Sequence, residues 1–247
     1  MLYSCIGMDD KLLAIGKTAK LLGVSIDTLR RWDKKGKFSS ARIGSAGNRY
    51  YRKSDIDLFL GDSFAMARDW AGNKIPYEPD QKYYCQTRDV FQARLEHFQT
   101  ELLVENKNTF PSLISAISGE IGNNSFDHNI GNWPDILGVY FLYSLTEKKV
   151  VLADRGLGIL ATLKKVRRNL DSHKEALRVA FTETISGRGL ESRGNGLKFV
   201  RGVVMRNPIK LFFQTGDAVL TLQQNEENFD IEISEKYIRG CIAVIEF

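Results

Sequence analysis

The sequence predicts an α+β chain in two parts: a small basic module of short helices and a hairpin, then a larger domain layering helices on a sheet. Three observations carry that prediction. Residues 1–62 hold 12 Lys/Arg and 7 Asp/Glu, whereas the remaining residues hold 23 of each, so all the excess positive charge lies in the first quarter. Helical spacing of apolar residues governs the first half of the chain, and β-branched and aromatic runs separated by turn residues take over after it. A hydrophobic content of 43% over 247 residues supplies a core for one large domain, or for a small one joined to a medium one.

Several classes are excluded at this level. Cys5, Cys85 and Cys241 are scattered, which gives neither a disulfide framework nor a zinc site and points to reduced thiols. No apolar run approaches the length of a membrane span. The first ten residues lack the basic start and apolar stretch of a signal peptide. The expected location is therefore the cytoplasm, with no membrane partner.

Ile15, Ala19 and Leu22 recur at helical spacing, so residues 12–22 read as a short helix that Gly23 breaks. Ser25 is a good N-cap for a second helix through Asp27-Thr28-Leu29-Arg30-Arg31-Trp32, ended by Gly36. Two short helices across a glycine turn, the second basic, make a helix-turn-helix pattern. In that geometry the second helix enters a major groove, with Thr28, Arg30, Arg31 and Lys35 toward bases or phosphates and Leu29 and Trp32 toward the core. Residues 41–52 read as a β-hairpin around a glycine-rich tip, whose Arg42, Arg49 and Tyr50 can touch the backbone beside the groove. Ser54 caps a closing helix over residues 54–60.

The run Ile15-Gly-Lys-Thr-Ala-Lys-Leu-Leu-Gly-Val-Ser-Ile-Asp-Thr-Leu-Arg-Arg-Trp-Asp, followed by Asn48-Arg49-Tyr50-Tyr51, resembles the winged helix-turn-helix of MerR-type regulators and excisionases. The resemblance covers residues 11–61. It implies binding of double-stranded DNA through the second helix and the Arg49 wing, and a homodimer reading paired half-sites. Residues 1–62 are taken as this domain.

Residues 63–109 read as a connector. Residues 61–81 lose periodicity and carry Gly72-Asn73, Pro76 and Pro79, as a linker does. Residues 86–104 read as a helix with Val90, Leu95, Phe98 and Leu102 on its apolar side and His97 along it. A helix in that position is a candidate dimerisation element.

Residues 110–247 form the second domain. Glu120, Asn124 and His128 fall four apart, which stacks them along one face of a helix beside an apolar stripe of Ile114, Ile117 and Ile121. Residues 136–145 and 150–153 read as a hairpin, and the second strand runs into Asp154-Arg155-Gly156-Leu157-Gly158. A carboxylate at a strand end beside two glycines offers an acceptor where a flat ring can approach the backbone. The loop Ser186-Gly-Arg-Gly-Leu-Glu-Ser-Arg-Gly-Asn-Gly196 opens onto a helix at Leu197-Lys198. Backbone N–H groups at such a helix end suit phosphate, and Arg188, Arg193 and Lys198 add charge. Residues 209–214, 218–223, 228–233 and 241–247 read as four strands, with Gly216-Asp217 in a turn.

ExxxNxxxH on a helix, DxGxG after a strand and GxG before a helix, in that order, resemble the GHKL ATPases, the superfamily of sensor histidine kinases, gyrase, Hsp90 and anti-sigma-factor kinases. The resemblance implies a Bergerat α/β sandwich, a mixed and mostly antiparallel sheet with helices on one face, binding ATP with Mg²⁺. By matching position, Asn124 is the Mg²⁺ ligand and Glu120 the general base acting on water. Asp154 accepts from the adenine amino group, with Gly156 and Gly158 allowing ring approach. Gly194 and Gly196, with Arg188, Arg193, Leu197 and Lys198, hold the phosphates under a lid over residues 170–193. His128 receives no role beyond supporting the helix end.

The expected function is a DNA-binding regulator coupled to Mg-ATP binding and hydrolysis. The alternative is a protein kinase, histidine- or serine-directed, using the same ATP site on a protein partner.

Overall fold

The computed structural model describes residues 11–22, 24–34, 36, 38–44, 47–53, 55–56, 63–105, 110–183 and 196–247. The chain divides into two compact units, residues 1–69 and 70–247.

In the first unit, β1 (Leu12–Ala14) leads into α1 (Ile15–Leu21) and α2 (Ile26–Lys34), followed by β2 (Ala41–Ile43) and β3 (Asn48–Arg52). The hairpin expected over residues 41–52 gains a third strand, because β1 pairs antiparallel with β3 through Leu13 and Tyr51. The first helix therefore starts at Ile15 and not at residue 12. Leu13 turns into the core as a strand residue, beside Ala19, Leu29, Phe38, Tyr51 and Ile56. Ser25 caps α2 by accepting from the Thr28 N–H at 3.1 Å. Ile56, from the expected closing helix, is fully buried in this core, while Ser54 and residues 57–60 lie outside the described residues.

Within the stretch expected to be linker, residues 63–72 are helical and residues 73–80 are irregular, as expected. α3 (Ser63–Gly72) runs across the division between the units. β4 (Tyr84–Cys85) joins the second unit's sheet, and α4 (Arg88–Glu105) packs on it. Phe91, Leu95, Phe98 and Leu102 of α4 are buried, whereas Val90, expected on the apolar side, is 40% exposed. That apolar side of α4 lies in the core of its own unit, against α5 (Phe110–Asn129). A Cβ on Gly122 would lie 2.1 Å from the Phe91 ring, so glycine there sets the close approach of α4 and α5.

The second unit continues with β5 (Val139–Ser144), β6 (Lys149–Asp154), α6 (Gly158–Leu163), α7 (His173–Thr182), α8 (Gly196–Arg206), β7 (Lys210–Leu222) and β8 (Ile231–Glu246). Its five strands are antiparallel in the order β4-β5-β6-β8-β7. Phe141, Leu152, Ala243 and Phe213 are register partners across four strands and form one row of the core. Ile117 and Ile121 of α5, Phe181 of α7 and Val200 and Val204 of α8 pack in the same core. Because side chains alternate along a strand, Asp154 follows Val150 and Leu152 onto this helix-bearing face. Tyr140 points to the other face and stacks with Tyr83, ring centroids 5.6 Å apart, with Trp70 at 6.0 Å.

Four expected strands merge into two long ones. Gly216 and Asp217 make no turn; they sit in an irregular stretch of β7 where the register jumps from Thr215↔Cys241 to Gly216↔Ile238 and then Ala218↔Ile233. The extra residues bulge from β8, which absorbs the glycine without ending either strand.

Candidate functional site

In the first unit the structure places the basic residues around Asp33, which the sequence reading did not single out. Arg49 Nε donates to Asp33 Oδ2 at 2.7 Å and Arg42 Nη2 to the same oxygen at 3.0 Å. The Ser40 N–H donates to Oδ1 at 2.9 Å. Burial by itself would raise the Asp33 carboxyl, but the hydrogen bonds from Arg49 and Ser40 with nearby Arg42 hold it below its ordinary value. Two wing arginines are thus clamped to α2 by one carboxylate, which fixes the hairpin against the helix. Arg31 is exposed on α2. Arg30 is exposed and pairs with Asp27 at 3.0 Å. The Thr28 hydroxyl lies 2.9 Å from that of Ser25, and Tyr50 is half-buried. Lys35 lies outside the described residues.

Residues 15–51 match the family model of the MerR family regulatory proteins. The first unit therefore carries a MerR-type DNA-binding module, and the chain reads as a DNA-binding regulator at that level. A type II methyltransferase of Escherichia coli, M.Eco47II, is 34% identical over 70 residues, which are 28% of this chain and 17% of that protein. The chain thus spans about one-sixth of the length of the curated relative it matches. Among the described residues no helix is long and apolar enough to cross a membrane.

In the second unit, three stretches far apart in sequence meet along α5. Gly196 opens α8, and a Cβ there would lie 2.5 Å from Glu120 Oε2 and 3.3 Å from Asn124 Nδ2. The positive end of an 11-residue helix therefore rests against the Glu120 carboxylate and the Asn124 amide. Leu197 packs on the core and Lys198 is half-buried. The next residue of α5, Ser125, donates to Asp154 Oδ2 at 2.8 Å. Glu120 and Asn124 thus face α8 while Ser125 faces the end of β6.

Asp154 is 3% exposed. Its Oδ1 accepts from the Gly156 N–H at 2.8 Å, and the Cys241 N–H also donates to the carboxylate. Burial pushes this carboxyl up to about 6, against those three donors. A carboxylate has about four lone-pair positions, and the three donors among the described residues leave room for one more. Asn129, a turn further along α5, accepts from the Leu157 N–H at 2.8 Å and donates to the Ser125 carbonyl at 2.7 Å. Thr215 donates to the Gly240 carbonyl at 3.0 Å and accepts from the Ile159 N–H at 3.2 Å. Gly240 has φ +72° and passes so close that a Cβ would lie 2.4 Å from both the Asp154 carbonyl and its Oδ1.

Ser125, Asn129, Thr215 and Gly240 were missed by sequence reasoning. Ser125 and Asn129 had a signal: they repeat the four-residue spacing one position along from Asn124 and His128. His128 is half-buried. Arg188, Arg193 and Gly194 lie outside the described residues. Of the expected lid over residues 170–193, residues 184–193 lie outside the described residues. Leu170 is fully buried, and Ala176, Leu177, Val179 and Phe181 anchor α7 in the cores of the unit.

Arg155, inside the DxGxG motif, has a structural position. It is 1% exposed and binds both oxygens of Asp135, at 3.2 and 2.8 Å. It also donates to the carbonyls of Trp70 and Asn73, the latter at 2.9 Å. The end of α3 is thereby pinned beside Asp154.

Proposed function

We propose that the chain is a DNA-binding regulator whose second unit is a GHKL-type, Bergerat-fold domain that binds Mg-ATP and hydrolyses it. The observation that supports this most is the meeting of Glu120, Asn124 and Gly196 at one end of a polar stripe whose other end is tied to Asp154. Adenine recognition, metal and water handling and phosphate binding are then within one ligand's length along α5. The antiparallel sheet with α5, α7 and α8 on the Asp154 face is the layering such a domain needs.

The residues fit the group. Asp154 has one acceptor position left for an exocyclic amino group, in a dry setting where a hydrogen bond to charge is strong. The glycine at 196 leaves no side chain between the start of α8 and the Glu120 carboxylate, and the backbone N–H groups of a helix start are donors suited to phosphate oxygens. Asn124 offers one oxygen to Mg²⁺, an ion that takes few protein ligands and completes its shell with water and phosphate. Bound Mg-ATP supplies the phosphoanhydride and the Lewis acid; Glu120 orients a water and accepts its proton, which is chiefly positioning and electrostatics. Nucleotide would alter DNA binding by its differential affinity for two states of the chain.

Calorimetric titration with Mg-ATP tests this reading. The wild-type chain should bind, and Asp154→Asn should lose binding while remaining folded. Equal ATP affinity in the two proteins would remove the adenine assignment. Phosphate appearing on a protein, instead of in solution, would replace hydrolysis by kinase activity at the same site.

A further inference from the structure

The second unit is neutral overall, with 22 Lys/Arg and 22 Asp/Glu over residues 70–247. Positive charge is nevertheless dense over one short stretch. Between residues 164 and 178 there are six cations, Lys164, Lys165, Arg167, Arg168, Lys174 and Arg178, against two carboxylates, Asp171 and Glu175. Arg167 is paired with Glu183 at 2.8 Å, and Arg178 lies over the Phe229 ring at 5.7 Å. Lys164, Lys165, Arg168 and Lys174 are exposed, and among the described residues their side chains have no ion pair or hydrogen bond.

The backbone beneath these cations is firmly held. The Lys164 N–H donates to the Leu160 carbonyl at 2.9 Å and the Arg167 N–H to the Leu163 carbonyl at 2.8 Å. Leu163 and Leu170 are buried with Ala176 and Val179 in a core of their own. Compact turns after α6, followed by the first turn of α7, therefore present four exposed cations on a fixed platform. Like charges held together repel one another; a polyanion's opposite charge relieves that repulsion, and the release of its counterions favours the complex. A membrane surface would ask for an apolar wedge among the cations, and Val166, 42% exposed, is a small one. The MerR-type module on the same chain brings duplex DNA to the protein.

We propose that Lys164, Lys165, Arg168 and Lys174 form a second DNA-contact surface, binding the phosphate backbone of duplex DNA without reading its sequence. The surface adds affinity and salt dependence to the MerR-type module, which supplies the base readout. It depends on DNA binding by that module, and not on the ATP reading of the second unit.

The test is fluorescence anisotropy of the 247-residue chain with a labelled random-sequence duplex across a salt series. The variant carries Lys164→Gln, Lys165→Gln and Arg168→Gln; the control carries Lys74→Gln, Arg206→Gln and Lys210→Gln elsewhere on the unit. Each lost phosphate contact should flatten the plot of log affinity against log salt by about 0.9. The platform variant should therefore lose about 2–3 from the slope and at least about tenfold in affinity at moderate salt. The control should change neither by more than a fraction of that. Equal slopes for platform variant and wild type would overturn the proposal, as would a loss matched by the control. Binding to anionic vesicles that the platform variant loses, with its DNA slope unchanged, would assign the surface to lipid and overturn it too. Mg-ATP binding by the platform variant should remain at the wild-type level, which separates a failure here from a failure of the nucleotide reading.

Discussion

Replacing Asp154 by Asn should make the protein relatively more stable as pH rises, the reverse of the usual behaviour of a native carboxylate. The carboxyl is 3% exposed and burial pushes it from 3.8 to about 6. The folded chain thus binds this proton more tightly than the unfolded chain. Its stabilising effect is complete below about pH 4 and is lost as pH rises through about 6. That rise corresponds to about 3 kcal/mol of stability forgone once Asp154 is ionised. Asn keeps an oxygen for the Gly156 N–H, and the Ser125 hydroxyl can turn to accept from the new amide; the imperfect match costs about 1 kcal/mol. The variant should therefore be slightly less stable than wild type near pH 4 and about 2 kcal/mol more stable above pH 7. Urea unfolding of both proteins over a pH series measures this directly. Taking the difference cancels the other carboxylates, including Asp33 and Asp135, whose depressed values contribute in the opposite sense. A difference that stays flat, or that favours wild type as pH rises, would refute the claim that Asp154 is a charge held in a dry site.

Further substitutions separate chemistry from architecture. Glu120→Ala should leave ATP affinity within about threefold and lower phosphate release by at least about 100-fold; an undiminished rate would remove its role as base. Gly240→Ala places a methyl group 2.4 Å from Asp154 in backbone with φ +72°, so thermal unfolding should show a loss of about 2 kcal/mol or more, and an unchanged midpoint would contradict the packing described. Asp33→Ala deprives Arg42 and Arg49 of their shared acceptor and should cost the MerR-type module about 1–3 kcal/mol in denaturant unfolding; no loss would mean that the wing is held by other contacts. Arg155→Lys cannot reproduce a planar fork on Asp135 with two further carbonyls and should destabilise the second unit by about 3 kcal/mol, whereas equal stability would show the buried cluster to be dispensable.

Much of the candidate site was legible because its determinants are local. The spacing of Glu120 and Asn124 is a helix property, and the strand before Asp154 is marked by its own β-branched residues. What escaped depends on partners distant in sequence. β1 is three residues long, too short for alternation to register, and exists only because β3 supplies its ladder. Gly216-Asp217 has the composition of a turn, but β8 can bulge around it, and that choice lies with the other strand. Residues 61–81 look like linker because apolar residues among them serve a sheet formed more than 50 residues later, as when Trp70 lies against Tyr140. Arg155 sits where the DxGxG pattern accepts any residue, so nothing in the motif reveals that it is buried and joined to Trp70, Asn73 and Asp135.

The coupling of the two units is tested most directly by measuring DNA affinity of the 247-residue chain with and without Mg-ATP while following phosphate release in the same sample. An ATP-set regulator predicts a shift in DNA affinity of about 5- to 150-fold, with inorganic phosphate released at a rate that DNA changes. DNA affinity indifferent to nucleotide, together with no phosphate release, would contradict it.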